Sequence, residues 1–564
     1  MTESQLSGIT VLERDIFQGS KSDRVLFRKD AWSEPVTYFV GRNGSGKSRV
    51  AKYVANKLKG RLLVADRLAG LASSKHVGHL QIPSVDHYPG IPLGRDAQKS
   101  TSQVALSEGI GHDDIYALRE QPEVGMRVAA FIKRALHRDI ELRETSGFLD
   151  PYVRLGPSAP YSLLRDEGHG LREIVILLSA IFRDDWELIV VDEPELHLHP
   201  SMARLWVGEL ERVCRERACR AIVVTHEPSL VRPTKASDLR SLYSFRPGEP
   251  ALALSNCLAP GTEERVTSSL SEYPELVSKL VFSPRPVLVE GPTDVAGLTV
   301  TLNRTEPPEV VAQTDLVPCG GSSEVALWFE IATRAGMDVR AVADLDACLT
   351  PEIQRVMDSD PVVVTRYRDD LAQEPARTSA VLRPLIQAMD TAGIGANPKE
   401  RAQWLATGVP EASGWLARKD KLLGIWRDAH LWLHPQGTLE AVLGGVEKHK
   451  DQIVKAAGCP GAIDAVAKWC AYDVGPLGEI EVLLGVHAER VAHRAMEALR
   501  LNPDADVTAV ASPPAENIDP LVELTAEGNG SFLLTVQKPL EFRGHWMRFS
   551  RDTPSTELNL REPD

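Results

Sequence analysis

Val36-Thr-Tyr-Phe-Val40 followed by Gly41-Arg42-Asn43-Gly44-Ser45-Gly46-Lys47-Ser48 and then Arg49-Val-Ala-Lys-Tyr-Val-Ala-Asn-Lys-Leu-Lys-Gly60 is the stretch that decides the fold. An unbroken apolar run of β-branched and aromatic residues reads as a buried strand, and the segment after Ser48 has helical periodicity. Between them lies a full G-x-x-x-x-G-K-S match in the strand–loop–helix setting that its chemistry requires. The glycines let backbone N–H groups converge on phosphate oxygens, and the following helix turns its positive end toward them. Lys47 is expected to reach the β- and γ-phosphates of ATP, and the Ser48 hydroxyl to join the Mg²⁺ shell.

Working outward, Glu187-Leu-Ile-Val-Val191 delivers Asp192-Glu193-Pro194 to the carboxyl end of another buried strand. Asp192 there is placed to help hold Mg²⁺, and Glu193 to orient or deprotonate the attacking water. A third strand, Ala221-Ile-Val-Val224, ends at Thr225-His226, which places His226 to sense or polarise the γ-phosphate. His197 and His199 share the i, i+2 spacing of a strand, but a structural role suits them better than a metal pair.

The alternation of apolar runs and amphipathic stretches over most of the 564 residues predicts α/β domains. We expect an ATPase domain over 1–260, interrupted at 70–160 by a mostly helical insertion that is a candidate dimerisation element. The insertion includes Glu123-Val-Gly-Met-Arg-Val-Ala-Ala-Phe-Ile-Lys-Arg-Ala-Leu-His-Arg-Asp-Ile-Glu-Leu-Arg-Glu144, read as one helical stretch. Residues 239–256 read as a hairpin, 261–284 as a linker with a helix, 285–445 as a second α/β domain, and 446–564 as helix followed by a small β element. Seven scattered cysteines without a C-x-x-C pair predict free thiols rather than a disulfide framework or zinc site. No apolar run approaches membrane-spanning length, and Met1–Phe17 lacks a signal-peptide pattern, so a cytoplasmic protein without membrane contact is expected. The net charge of −14 excludes a general polycation that coats nucleic acid.

A second acidic centre begins at Val287-Leu-Val-Glu290-Gly291-Pro-Thr-Asp294. Glu290 stands at the end of an apolar strand, and Asp294 follows one helical turn later. Further along, Val339-Arg-Ala-Val-Ala343 precedes Asp344-Leu-Asp346, again acids at a strand's carboxyl end. In an open parallel sheet functional groups collect outside those ends. Alternate residues of an extended segment face one way, so Asp344 and Asp346 are both expected to face Glu290. Such hard oxygens suit Mg²⁺ or Mn²⁺. Pro318-Cys-Gly320-Gly321-Ser322 reads as a tight turn before a helix.

Asn43 in the P-loop and the string Asp192-Glu-Pro-Glu-Leu-His-Leu-His-Pro200 resemble the ABC-type ATPases of the RecF, Rad50 and SMC kind. Asp166-Glu-Gly168-His-Gly170-Leu-Arg-Glu173 resembles the degenerate Gly-x-Gly signature of the OLD (overcoming lysogenisation defect) proteins, a departure from the transporter LSGGQ form that leaves open which residue replaces the signature serine. The Glu-Gly then Asp-x-Asp order resembles the TOPRIM fold of topoisomerases, primases and OLD nucleases. An ATPase followed by TOPRIM in one chain narrows the resemblance to the OLD family, over roughly residues 36–443.

That resemblance implies a homodimer sandwiching ATP, with Gly168 and Gly170 reaching the partner's nucleotide. It implies Glu290, Asp294, Asp344 and Asp346 as metal ligands for phosphodiester cleavage. Gly437-Thr-Leu-Glu440 looks like the family's late acidic element, which makes Glu440 a further candidate ligand. A basic residue often completes such sites, with Arg366, Arg368, Lys419 and Lys421 all open. Asp66-Arg67 looks like another family element, and Gln81, Gln98 and Gln103 all fall where a Q-loop belongs.

The function implied is an ATP-regulated, metal-dependent endonuclease, used in defence against phage or mobile DNA and answering to a phage-encoded trigger or accessory protein. DNA is favoured over RNA as substrate. Two alternatives stay open: a RecF-like clamp or sensor with an inactive TOPRIM unit, and a toxin-type nuclease of tRNA. Ten tyrosines offer no topoisomerase context.

Overall fold

The computed structural model describes residues 8–17, 21–41, 44–65, 91–92, 112–145, 148–163, 166–246, 249–395, 397–410 and 414–471, with strands at 522–527, 531–536, 546–550 and 557–559. The chain divides into two units, Met1–Tyr472 and Asp473–Asp564.

The first unit is built on two parallel sheets. One carries β1 (Val36–Val40), β2 (Arg61–Leu63), β3 (Leu188–Asp192), β4 (Arg220–Val224), β5 (Leu242–Ser244) and β6 (Leu252–Ala253), in the spatial order β6-β5-β1-β4-β3-β2. Only β6 runs antiparallel, pairing with β5 as the hairpin pattern predicted. β1 is buried at every position. The Val/Ile-rich runs are continuous rather than alternating because the sheet is covered on both faces. Register places Val224 of β4 opposite both Phe39 and Asp192, so the P-loop and the acidic pair leave the sheet at one edge.

The second sheet carries β7 (Arg285–Val289), β8 (Thr314–Pro318), β9 (Arg340–Ala343) and β10 (Leu431–Leu433), all parallel, in the order β8-β7-β9-β10. β7 follows the helix Leu276–Phe282, which occupies the segment read as a linker. A continuous buried core runs from Leu178 and Trp206 beside the first sheet to Leu288, Trp328 and Trp426 beside the second.

The insertion is only partly helical in its described part. The predicted helix holds over Pro122–Leu136 and stops at His137, whose φ of 54° is left-handed. From Arg138 the charges alternate with Ile140 and Leu142, a period of two, and Arg138–Thr145 pairs antiparallel with Phe148–Leu155. The helical reading of Arg138–Glu144 is therefore corrected: a left-handed C-terminal residue ends the helix and a hairpin follows.

The second unit shows an antiparallel sheet of four strands, Val522–Glu527, Ser531–Val536, Trp546–Ser550 and Glu557–Asn559. The helical stretch expected near residues 487–501 lies outside the described residues, as do Arg42, Asn43, Asp66, Arg67, Gln81, Gln98 and Gln103. All seven cysteines are free, and all but Cys459 are buried. No helix among the described residues is long and apolar enough to cross a membrane.

Candidate functional sites

At the nucleotide site each glycine has its own reason. Gly41 has φ +138°, and a Cβ there would stand 2.3 Å from the Phe245 carbonyl oxygen. Gly44 and Gly46 have φ of +79° and +88° with open space beside them, a concave backbone turn that only glycine adopts without cost. Gly46 starts the helix Lys47–Lys57. The Lys47 ammonium is buried and donates to the Gly41 carbonyl at 2.8 Å, with the Ser45 hydroxyl at 3.4 Å. Burial lowers its pKa, opposed by Asp192, Glu193 and Glu195. The Ser48 hydroxyl donates to Asp192 Oδ1 at 3.1 Å, so the two groups expected in a Mg²⁺ shell already touch.

Glu193 has φ 48°, left-handed for a non-glycine residue, at a cost of about 1 kcal/mol. Its N–H is held by the Val224 carbonyl at 2.8 Å. His226 Nδ1 lies 3.2 Å from Glu193 Oε1 and 3.5 Å from Glu195 Oε1. Glu195 was not singled out in the sequence, yet it organises this corner. It accepts from the Thr225 hydroxyl at 2.7 Å and the His226 N–H at 3.1 Å, and burial raises its pKa. Its position one turn after Asp192 was the available signal.

Gly168 precedes the helix His169–Phe182, and a Cβ on Gly170 would come within 2.9 Å of the His197 carbonyl. The rings of His169 and His197 lie 5.1 Å apart. His199 instead caps its own helix, with Nδ1 2.7 Å from the Ser201 hydroxyl. His197 and His199 thus have separate structural partners.

The second site is assembled from four segments at the carboxyl edge of its sheet. Glu290, Asp294 and Glu440 are each under 9% exposed. Glu290 Oε1 accepts from the Ser322 hydroxyl at 2.6 Å and the Asp344 N–H at 2.8 Å. Ser322 also faces Asp346 Oδ1 at 3.3 Å, and so ties two predicted ligands together. Ser322 begins its helix directly after Gly320 and Gly321, whose φ of +106° and +135° fit the predicted turn. Asp294 accepts from the Gly291 N–H at 3.1 Å, and Asp344 Oδ1 from the Leu439 N–H at 3.3 Å, which brings in the Glu440 loop.

One part of the expected geometry differs. Asp344 and Asp346 do not share an extended face: β9 ends at Ala343, Asp344 caps a 3₁₀ turn, and Asp346 lies inside that turn at Leu345–Leu349. The turn brings Asp346 round to Ser322. It is fixed by the Leu345 N–H on the Gly437 carbonyl at 2.8 Å.

The electrostatics of this cluster are lopsided. Burial, then Glu290, Asp294 and Glu440, push Asp344 up to about 9. Burial and Glu290 push Asp294 to about 7 and Asp346 to about 6. Lys448 answers this charge: its Nζ lies 3.8 Å from Glu440 Oε1, and Glu440, Asp294, Glu290 and Asp344 raise its pKa against the effect of burial. None of the basic residues proposed from sequence takes that place. Arg366 pairs with Asp370 and Asp428, Arg368 pairs with Glu374, Lys419 donates to the Ala406 and Pro435 carbonyls, and Lys421 is exposed. His434 is buried beside Glu440 and its pKa falls to about 4, so it is neutral.

The donor set of carboxylate oxygens fits Mg²⁺ or Mn²⁺, and their mutual repulsion is what such an ion relieves. Among the described residues no three acidic, histidine or cysteine side chains already converge as a ready-made metal group. The carboxylates would have to close around the ion.

Comparison with known proteins agrees with this architecture. Residues 130–232 match a family model described as an AAA domain of the AbiEii-toxin, type IV toxin–antitoxin kind. Residues 281–346 match the TOPRIM domain model of overcoming-lysogenisation-defect-like proteins. The chain is a fusion of a P-loop ATPase domain and an OLD-like TOPRIM domain. It is 24% identical over 252 residues to the Old nuclease of Escherichia phage P2, a match covering 41% of this chain and 39% of that protein. The Smc head domain of Pyrococcus furiosus, solved with an extended coiled coil and bound to the C-terminal domain of ScpA, aligns over 28% of this chain and 43% of that one. Its identity is 15% and its TM-score 0.19, too low to bear on the fold.

Proposed function

We propose that this chain is an ATP-regulated, divalent-metal-dependent endonuclease of nucleic acid, acting in defence against phage or mobile DNA. The observation that carries the reading is the cluster of Glu290, Asp294, Asp344, Asp346 and Glu440 at one sheet edge, tied together by Ser322, with three of its carboxyls raised by burial and mutual repulsion and one lysine beside them. A site serving only as structure has no physical need for mutually repelling buried acids. The likeness to the Old nuclease supports the same reading.

At the ATP site, Gly41–Ser48 cradles the phosphates, with Arg42 and Asn43 as part of that loop, and Lys47 places its charge against them. Ser48 and Asp192 would hold Mg²⁺. Glu193 orients water, and His226, steered by Glu195, fixes the Glu193 carboxylate. At the TOPRIM site Glu290, Asp294, Asp344, Asp346 and Glu440 would hold the catalytic metal. When bound, the ion supplies Lewis acidity toward the scissile phosphate and lowers the pKa of water. Ser322 orients Glu290 and Asp346 together, and Lys448 offers positive charge where negative charge builds on the leaving oxygen.

The two sites communicate through the backbone after β5. The Phe245 carbonyl packs on Gly41, and the Arg246 guanidinium donates to the Gly336 carbonyl at the far end of the Ser322–Arg334 helix. Phe245, Arg246, Gly336 and Met337 line one cavity of ≈ 370 Å³. A shift of the P-loop on filling is thereby passed to the helix that carries Ser322. Gly168 and Gly170 complete the nucleotide site of a second copy.

The test is cleavage of supercoiled plasmid, single-stranded DNA and tRNA with Mg²⁺ or Mn²⁺, with and without ATP. Cutting by the wild type that disappears in Asp344→Ala/Asp346→Ala is expected. Equal cutting by that variant sinks the assignment. Cutting of tRNA alone replaces DNA with RNA as the substrate.

A further inference from the structure

A cleft of ≈ 710 Å³ lies on the ATPase sheet, at the edge opposite the P-loop. Its position follows from topology. Glu34–Val36 leads into β1 and Leu242 begins β5, so these residues mark the amino ends of parallel strands, whereas Gly41 leaves the carboxyl end. The other walls are the helix Pro200–Arg217 and the segment 229–241.

The charge of this cleft contrasts with the rest of the chain. Arg204, Arg215, Arg232, Lys235 and Arg240 line it, against the carboxylates of Glu34, Glu211 and Asp238, in a protein of net charge −14. The acids are already committed. Glu34 binds the buried Lys29, Glu211 accepts from the Tyr38 hydroxyl at 3.2 Å, and Asp238 accepts from the Thr234 and Lys235 N–H groups. Arg215 pairs with Glu211 and Arg232 with Glu275, but both arginines are more than 40% exposed, and water screens such pairs so that they open readily. Arg204, Lys235 and Arg240 are exposed.

The polar lining has a second feature. The Ser229 hydroxyl is buried behind the cleft wall without a hydrogen-bond partner. The other lining hydroxyls are mostly committed: Thr234 donates to the Asp238 carboxylate at 3.1 Å and Ser241 to the Asp238 carbonyl at 2.7 Å, so the grip falls to the cations. The exposed arginines and lysine match phosphate oxygens. Tyr38, the aromatic residue of the lining, is 8% exposed and held by Glu211, so it offers no face for a base to stack on.

We infer that this cleft is a docking groove for the phosphate backbone of a polynucleotide, gripping it without reading its sequence. The inference rests on the nuclease reading for its choice of partner. The groove lies apart from the TOPRIM carboxylates, which repel phosphate until a cation is bound. It supplies the attraction that those carboxylates lack and holds nucleic acid while the catalytic edge engages it.

The test measures binding of a short labelled duplex by fluorescence anisotropy over a salt series. It uses the full chain in an Asp344→Ala background, with ATP present and absent. Arg204→Glu/Lys235→Glu/Arg240→Glu is expected to weaken binding at low salt by at least about tenfold. It also lowers the slope of log affinity against log salt by about two to three, near one for each phosphate no longer neutralised. Arg204→Gln/Arg240→Gln is expected to give an intermediate loss, and unchanged ATPase activity in all variants shows an intact fold. Unchanged affinity and slope in the triple variant overturn the groove. So does binding of polyglutamate in place of DNA with the same dependence on these residues, because it assigns the cleft to an acidic protein. A wild type that binds DNA through these residues but never cuts fails the nuclease reading alone.

Discussion

The two acidic centres of this chain solve opposite electrostatic problems with similar parts. At the nucleotide site, Asp192, Glu193 and Glu195 face a buried ammonium, Lys47, and a histidine, His226. Three carboxyls there answer one ammonium, and hydrogen bonds such as Ser48–Asp192 and Lys47–Gly41 hold the groups in place. At the TOPRIM site five carboxyls cluster, four of them acting on Lys448, and three are driven toward the protonated form. On the proposed reading, the first site receives an anion on its glycine loop and Lys47, and the second a cation on its carboxyls. A buried carboxyl with a raised pKa is a stored demand for positive charge.

If Lys47 supplies the charge that phosphate needs, Lys47→Ala is expected to reduce ATP hydrolysis by about 10²–10³-fold, measured as phosphate release. Glu193→Gln is expected to lose a similar factor while still binding ATP, since only water orientation is removed. Equal ATP turnover in either variant would erase the contrast at its first pole.

Lys448→Met leaves the carboxylates without their cation and is expected to slow plasmid cutting by about 10²-fold. Arg246→Ala cuts the link to Gly336 while touching neither centre. It should change the ratio of cutting with and without ATP by about fivefold, the scale of a modest coupling energy. An unchanged ratio would show that the centres act independently.

The smallest expected effect is thermodynamic. Asp344 is raised in the folded chain, so the native state binds the extra proton between the unfolded aspartate value and about 9. Its contribution to stability is therefore full below that window and is lost as pH rises through it. Asp344→Asn is expected to raise the melting temperature of metal-free protein at pH 8 by about 2–4 °C, with less effect at pH 5. No difference between the two pH values would mean that the repulsion is not felt.

Much of this was legible because both centres sit at strand ends, where short motifs announce them. Gly41–Ser48, Asp192-Glu193, Glu290 and Asp344 each follow an apolar run, and the sheets place them at carboxyl edges. What was not legible depended on partners distant in sequence or on local turns. Lys448 lies in a loop with no pattern of its own, and the fold alone carries it to Glu440. Glu195 was hidden inside Asp192–Pro200 because its partners, Thr225 and His226, come from the next strand. Asp346 reaches the site by a 3₁₀ turn, where alternation suggested an extended strand. The hairpin after Leu136 was hidden by helix-forming residues, although His137 and the alternation from Arg138 mark the change.

The claim that the TOPRIM carboxyls await a cation is tested most directly by calorimetric titration of nucleotide-free protein with Mn²⁺, in two buffers of different ionisation enthalpy near pH 7.5. Saturable binding accompanied by proton release, stronger at higher pH and lost in Asp344→Asn, is the predicted result. Binding without proton release, or binding unchanged in Asp344→Asn, would contradict it.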